Sequence, residues 1–320
     1  MWKVDQMEKL LESIKMTKTN KSYLLIGSLL VFVGAVLYSS KAVLVKLAYQ
    51  YDVDSISLLT LRMLFSLPFY FIILIWRQTG PDKTQKQTPK EWLSVILLGM
   101  SGYYVASLLD FLGLQYVSAG LERLILFVYP TMVVLMLAIF YKKKMTRTIW
   151  MALVLTYIGI SIAFMDKVTY QQSADLYKGA VMIFVAAFAY AVYVVGSGQL
   201  VARFGTLRFT SIGMIAAGLM IIIQHGFTDQ WALGHFHPQV YFLSLLMAVF
   251  ATVVPSFLIM EGIKRIGSGN ASIISSIGPI STIILAYIFL DERLGIMQII
   301  GTFVVISGVL IISLNKDKAQ

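Results

Sequence analysis

Cysteine is absent from this chain of 320 residues, which excludes disulfides and thiolate-held metals. Histidine is scarce, with three in all. His235 and His237 have a metal-like spacing and His225 precedes them, but two histidines without an ordered third ligand specify no metal. There is no HExxH pattern, no phosphate-binding loop and no Ser/His/Asp arrangement, so the expectation is a protein that is not an enzyme and has no cofactor. Charge is thin as well. Only 13% of residues are Asp, Glu, Lys or Arg, against 58% hydrophobic, with a mean hydropathy of +0.79. That balance excludes a soluble domain, and the strand-like alternation of a membrane barrel is missing too.

What is present is a series of apolar stretches, at about 23–48, 56–76, 92–116, 119–140, 147–165, 178–201, 208–224, 241–262, 267–290 and 295–314. Each is long enough to cross a hydrocarbon core, which takes about 17–25 residues as a helix. The expected fold is therefore an all-α polytopic membrane protein of ten transmembrane helices. The formal net charge of +10 does not point to nucleic acid, because most of the Lys and Arg fall in alternate loops, as the positive-inside rule requires. With residues 1–22 and 315–320 cytoplasmic, the inner loops hold the basic clusters, and the outer loops hold only Lys167, Lys178 and Arg293. Residues 1–22 are charged rather than apolar, so no cleavable leader is expected in them. Val4, Met7, Leu10, Leu11 and Ile14 recur at helical spacing beside lysines, which suits either an interfacial helix on the anionic inner leaflet or a solvated tail.

Sliding the chain by 149 residues aligns Gly113 with Gly262, Gly120 with Gly269, Pro130 with Pro279 and Gly159 with Gly308. These residues carry geometry rather than hydrophobicity, since glycine permits close helix approach and proline removes a backbone donor. An offset of 152 brings Tyr38 onto Tyr190. Two units result, 23–165 and 178–314, each with five helices. An odd number makes the copies enter the membrane from opposite sides, the inverted repeat of many alternating-access carriers.

The segments "SAGLERLILFVYP", "GSGNASIISSIGPISTIILAYIFLDERL" and "GIMQIIGTFVVISGVLII" resemble the EamA-type transporters of the drug/metabolite transporter superfamily, and the resemblance extends over nearly the whole chain from Tyr23. In the second half an acidic–basic pair, Glu292 and Arg293, follows the ninth span, whereas the first half reads Lys142-Lys143-Lys144 at the corresponding place. The resemblance implies a secondary transporter of the bacterial inner membrane, often an exporter of amino acids or other metabolites. It also implies a central cavity lined mainly by the first, third, fourth, sixth, eighth and ninth helices, and names no substrate.

Charged residues inside the spans are costly and usually face a bundle interior, pair with one another or line water. Lys41, Lys46, Arg62, Asp110, Glu122 and Arg123 all fall in the outer half of the first repeat. Asp110 and Arg123 sit nearly level on neighbouring antiparallel helices and read as partners, in a structural network or a substrate site. Glu122 points elsewhere, because successive helical residues diverge by about 100°. It is placed to pair with Lys41 or Arg62, or to titrate. Lys41, Arg62, Asp110, Glu122 and Arg123, with Tyr38, Tyr190, Ser275 and Ser276, are the candidates for substrate or proton handling. Tyr103, Tyr104 and Tyr129 would complete an aromatic wall, while Pro130, Pro279 and Pro255 are candidate gating kinks. The expected partners are a small-molecule solute, the lipid bilayer and, in one reading, protons, with no nucleic acid. The leading function is alternating-access export of small organic metabolites; a non-transporting scaffold or a channel is the alternative.

Overall fold

A chain this apolar has no water to satisfy its backbone inside a membrane, so each crossing must close its own hydrogen bonds as a helix. The computed structural model describes residues 2–78, 87–140, 147–170, 174–228, 232–275, 277–293 and 295–316, and among these there is no strand. The helices are α1 (Trp2–Tyr49), α2 (Ser55–Gln78), α3 (Pro89–Gly99), α4 (Ala106–Leu114), α5 (Ala119–Leu126), α6 (Tyr129–Phe140), α7 (Arg147–Tyr170), α8 (Ala174–Phe204), α9 (Thr206–Thr228), α10 (Pro238–Ala248), α11 (Val254–Ser275), α12 (Ile277–Leu290) and α13 (Ile296–Lys316). π-helical turns at Met100–Val105 and Val249–Val253 join α3 to α4 and α10 to α11. Seven helical spans among the described residues are long and apolar enough to cross a membrane. Shorter apolar stretches occupy Val154–Ala163, Ile277–Leu290 and Ile296–Gly308.

Several boundaries differ from those the sequence suggests. The fourth apolar stretch is split at Phe127–Val128, ahead of Pro130, while residue 276 of the ninth lies outside the described residues. Proline offers no N–H to the preceding turn, so the interruption falls about one turn before it. Pro255 follows the second π-turn, yet the first π-turn precedes Ala106 at the equivalent position, so proline is not required for this widening. In the second half Thr252 Oγ1 donates to the Met247 carbonyl at 2.9 Å, and in the first Ser101 Oγ donates to Ala189 at 2.9 Å. Helical bonding also continues through Gly267-Ser268-Gly269, where a turn is expected between the eighth and ninth stretches. Glycine and serine cost at most ~1 kcal/mol each in a helix. The backbone of residues 2–22 is the first part of α1; Lys142, Lys143 and Lys144 lie outside the described residues.

The turns at 50–54 and 115–118 and residues 291–293 after α12 gather at one end of the bundle, called here the hairpin end. Tyr51 stacks on His237 at 5.0 Å there, and Ala119 meets Glu292. The start of α1 and the end of α13 point to the opposite, terminal end. α1 packs on α10–α11 and α12, while α8 packs on α3–α4 and on α5–α6. α2 pairs with α9, and α7 with α13.

The close approaches repeat at the 149- and 152-residue offsets. A methyl added to Gly113 would meet the Gly179 carbonyl oxygen at 2.9 Å and Ile183 Cγ1 at 2.6 Å. A methyl on Gly262 would meet the Gly27 carbonyl oxygen at 2.9 Å, with Val31 beside it. Gly262, Gly179 and Ile183 are the counterparts of Gly113, Gly27 and Val31, so each helix pair is built twice from the same small-residue contact. The two π-turns also fall 149 residues apart.

The ends differ in their cores. At the hairpin end one continuous cluster draws on α1, α2, α4, α5, α9, α10 and α12, with Ala48, Leu58, Phe111, Leu114, Ala119 and Val240 all fully buried. Toward the terminal end the described apolar residues form separate clusters, among them α6 with α8 (Met132, Met136, Ala187), α2 with α9 (Leu67, Tyr70, Met214) and α1 with α11 (Val31, Ile266). Among the described residues the hairpin end thus shares one large cluster, with Val117, Leu121 and Leu176 in a second beside it, and the clusters toward the terminal end are smaller.

Gly113→Ala should lower thermal stability in detergent, because its new methyl presses on a backbone oxygen, an overpacking cost of about 1–3 kcal/mol. Gly198→Ala should be neutral or stabilising, since nothing lies within 4 Å of that position. Equal melting temperatures for the two variants would contradict this account of helix packing.

Candidate functional site

Below the hairpin-end seal, α1, α2, α4 and α5 bring five ionisable side chains together. α5 starts at Ser118, whose extended backbone and side-chain oxygen cap the Leu121 N–H at 3.3 Å. Such a cap satisfies one of the donors exposed at a helix start. It also fixes the turn that carries Glu122 and Arg123. Tyr49, at the end of α1, donates its hydroxyl to the Phe111 carbonyl at 2.7 Å, and Ser55, at the start of α2, donates to the same oxygen at 3.2 Å. These two bonds fix α1 and α2 against α4, beside Asp110.

Lys41 Nζ forms an ion pair with Asp110 Oδ2 and donates to Glu122 Oε1 at 3.4 Å. Glu122 is fully buried, Asp110 is 2% exposed, and Lys41 and Arg62 are 5% exposed. These groups are too enclosed to snorkel to the interface. The expected Asp110–Arg123 partnership is therefore corrected: Asp110 pairs with Lys41. The turn of α5 directs Glu122 to Lys41 and carries Arg123 away, so that its guanidinium lies 5.5 Å from the Tyr38 ring centre. A methyl placed on Gly278 of α12 would meet Arg123 Nη2 at 2.7 Å, so the guanidinium lies against that glycine. Lys41 Nζ is 5.9 Å from the same Tyr38 ring, which thus stands beside two cations. Arg62 rests on Phe111 at 5.1 Å, a contact with no clear sequence signal.

The hydrogen bonding of this cluster is incomplete. Arg62 Nε and Nη1 and Arg123 Nε are buried without an acceptor among the described residues, and Asp110 Oδ1 and Glu122 Oε2 without a donor, the two carboxyl groups lying within hydrogen-bonding reach of each other. Buried polar atoms are normally satisfied, and an orphan costs about 1–3 kcal/mol. The unused atoms include both donors and acceptors. Three cations face two carboxylates, leaving one positive charge in excess if all are ionised.

Tyrosines continue the site toward the terminal end. Tyr129 and Tyr190 meet edge to face at 4.9 Å, Tyr190 lies 5.7 Å from Tyr193, and Tyr193 lies 4.9 Å from Tyr103. The Tyr103 and Tyr193 hydroxyls are hydrogen-bonded at 2.8 Å. Tyr104 is not part of this group. One residue beyond Tyr103 it turns away, and its hydroxyl donates to Gln224 Oε1 at 2.9 Å. Thr282 of α12 donates to the Ser39 carbonyl at 3.0 Å, holding α12 to α1 beside Tyr38. Ser275 is half-buried at the end of α11, away from these bonds, and Ser276 lies outside the described residues.

The histidines are dispersed. His225, expected in a loop, is buried within α9, where Nε2 lies 3.1 Å from Ser57 Oγ; His237 caps α10. No metal-binding group of His, Asp and Glu occurs among the described residues. At the terminal end Arg203 bridges α8 to Glu91, which also completes the Thr88 capping box of α3. The adjoining groove of about 510 Å³ is open and lined largely by Leu97, Leu98 and Leu200. Its two charges neutralise each other, so it lacks the imbalance of the buried cluster.

Lys41→Met strands two buried carboxylates and should cost about 3–5 kcal/mol of stability. Lys41→Met with Asp110→Leu should recover part of that loss in detergent melting curves, whereas Arg123→Gln with Asp110→Asn should behave additively. Coupling in the second pair and none in the first would reverse the pairing.

A family model described as the EamA-like transporter family matches residues 25–165 and 177–314. The chain is 33% identical over 306 residues to the uncharacterized transporter YcbK of Bacillus subtilis, covering 92% of this chain and 96% of that protein. It is 25% identical over 303 residues to the uncharacterized inner membrane transporter YicL of Salmonella typhimurium, covering 91% of this chain and 96% of the relative. One solved crystal structure aligns with a TM-score of 0.65 over 90% of this chain and 98% of its own, at 14% identity, which is a likeness of fold. On the strength of two matched segments that together span most of its length, this multi-pass membrane protein belongs to the EamA-like transporter family.

Proposed function

We propose that the protein is a ten-span secondary carrier whose two halves are inverted repeats, and that it exports a small zwitterionic metabolite such as an amino acid from a bacterial cell. The observation that carries this reading is the set of unpaired polar atoms. Arg62 and Arg123 offer N–H groups for a carboxylate, and Asp110 and Glu122 offer oxygens for an ammonium group. The tyrosines beside them suit the apolar part of such a solute. A purely structural ion network gains nothing from leaving donors and acceptors unmatched in the same cluster.

The repeated glycine contacts and π-turns support the inverted arrangement, in which each half can adopt the other's shape and expose the site to either side. The alternation of basic residues along the sequence supports cytoplasmic termini by the positive-inside rule. The hairpin end then faces outward, and the terminal end, with its smaller clusters, faces the cytoplasm. A carrier resting in this form loads from inside, as an exporter does. Glu122 is the candidate proton carrier, sharing Lys41 with Asp110.

Counterflow in proteoliposomes is the test. Preloaded amino acid should drive saturable uptake of its labelled counterpart, and a scaffold or channel would show no such exchange. Arg123→Gln should raise KM roughly tenfold through loss of a charge-assisted hydrogen bond. Glu122→Gln should retain exchange while losing the response to an imposed pH gradient. Exchange that stays fully responsive would remove the proton role.

A further inference from the structure

Glu292 lies two residues beyond α12, in the acidic–basic pair that carries the family resemblance, and neither the charged cluster nor the tyrosines use it. Its carboxylate reaches across to a different helix. Oε1 accepts the Ala119 N–H at 3.0 Å and Oε2 accepts the Gly120 N–H at 3.4 Å, the first two donors of α5. Ser118 supplies acceptors for the next two, through its side chain to Leu121 and its carbonyl to Glu122 at 2.9 Å. The exposed donors of a helix start carry partial positive charge, so a carboxylate there gains both hydrogen bonds and a favourable field.

Local geometry aims the side chain. Asp291 adopts φ 53°, a left-handed turn that Asp tolerates better than most residues, and the Glu292 N–H turns back to the Ala286 carbonyl at 3.3 Å. α13 closes over the same place, since a methyl on Gly120 would meet Gln298 Nε2 at 2.8 Å. Ala119 and Ala286, on the two sides of this bridge, both belong to the cluster that seals the hairpin end. The turn held by Glu292 is also the one that bears Glu122 and Arg123. At the equivalent position in the first half the sequence has Lys143, a side chain with no acceptor, so that residue cannot cap a helix start as Glu292 does.

We propose that Glu292 is the outer latch of the carrier: by capping α5 from the α12–α13 turn it ties the two halves together at the hairpin end, keeps that end closed, and positions Glu122 and Arg123 within the closed site. Opening to the outside must break both carboxylate bonds. Among the described residues the other end shows no carboxylate capping a helix start across the two halves, so the latch weights the balance toward the closed-outside form. This inference rests on the alternating-access reading for its meaning, but not for its measurement.

The natural absence of cysteine permits a single reporter. Ala48→Cys lies in the sealed cluster at the hairpin end of α1, at 0% exposure, and reacts with a polar maleimide when the hairpin end opens. In full-length protein in detergent, Glu292→Ala should raise the labelling rate roughly tenfold, the effect of losing a strong helix cap. Glu292→Asp, one methylene short, should fall between. Glu261→Ala, which breaks the α11 Glu261–Arg265 pair at the other end, should leave the rate unchanged. Melting curves on the same samples show whether the fold persists; if Glu292→Ala does not fold, Glu292→Gln, which keeps the shape and loses the charge, takes its place. An unchanged rate in a folded Glu292 variant, or an equal rise with Glu261→Ala, overturns the latch. Faster labelling in a protein without counterflow would keep the latch and reject the carrier, whereas counterflow with unchanged labelling would do the reverse.

Discussion

The structure is governed by the cost of holding ionised side chains in a medium without water. Lys41, Arg62, Asp110, Glu122 and Arg123 would each be expensive in hydrocarbon, and their mutual arrangement decides how α1, α2, α4 and α5 can pack. The Lys41 ammonium lies between two carboxylates, while two guanidinium groups rest on the faces of Tyr38 and Phe111. Around them small residues let the helices approach closely, because lipid supplies no hydrophobic drive for helices to associate. Apolar packing above the cluster then closes one end of the bundle.

This constraint links fold to function. A network meant only for stability would use each donor and acceptor, as the Tyr49 and Ser55 bonds to Phe111 do nearby. The charged cluster instead combines near-complete burial with unmatched atoms of both kinds. Capacity of that sort suits a guest that brings its own charges and can leave again. The glycine contacts on α4 with α8 and α11 with α1 give both halves the same hinge-like packing, and the Glu292 bridge makes the two ends unequal. In the proposed carrier such symmetry would make two states accessible, and the asymmetric cap would bias the balance between them.

Much of this was legible in the residues themselves. The apolar runs, the charged cluster and the glycines at 113 and 262 could be read from composition, depth and offset, because these depend only on position along the chain. What could not be read depends on azimuth around a helix. Asp110 and Arg123 are level in depth, yet α5 is turned so that Glu122, not Arg123, faces Lys41. Tyr104 adjoins Tyr103 in sequence and still serves a different helix. The break at Phe127–Val128 and the burial of His225 reflect backbone and packing choices to which hydropathy is blind. Glu292 stood out as a motif, but its target is a helix start 173 residues away, beyond the reach of local pattern.

The central claim is that the two ends open in alternation around the charged cluster. Pulsed electron resonance distances between nitroxides at Gln115 and Arg293, at the hairpin end, and between nitroxides at Phe140 and Arg265, at the terminal end, would test it most directly in reconstituted protein. The account predicts two populations in which the hairpin-end distance lengthens as the terminal-end distance shortens, with a saturating solute shifting their ratio. A single unchanging distance at both ends, with and without solute, would contradict it.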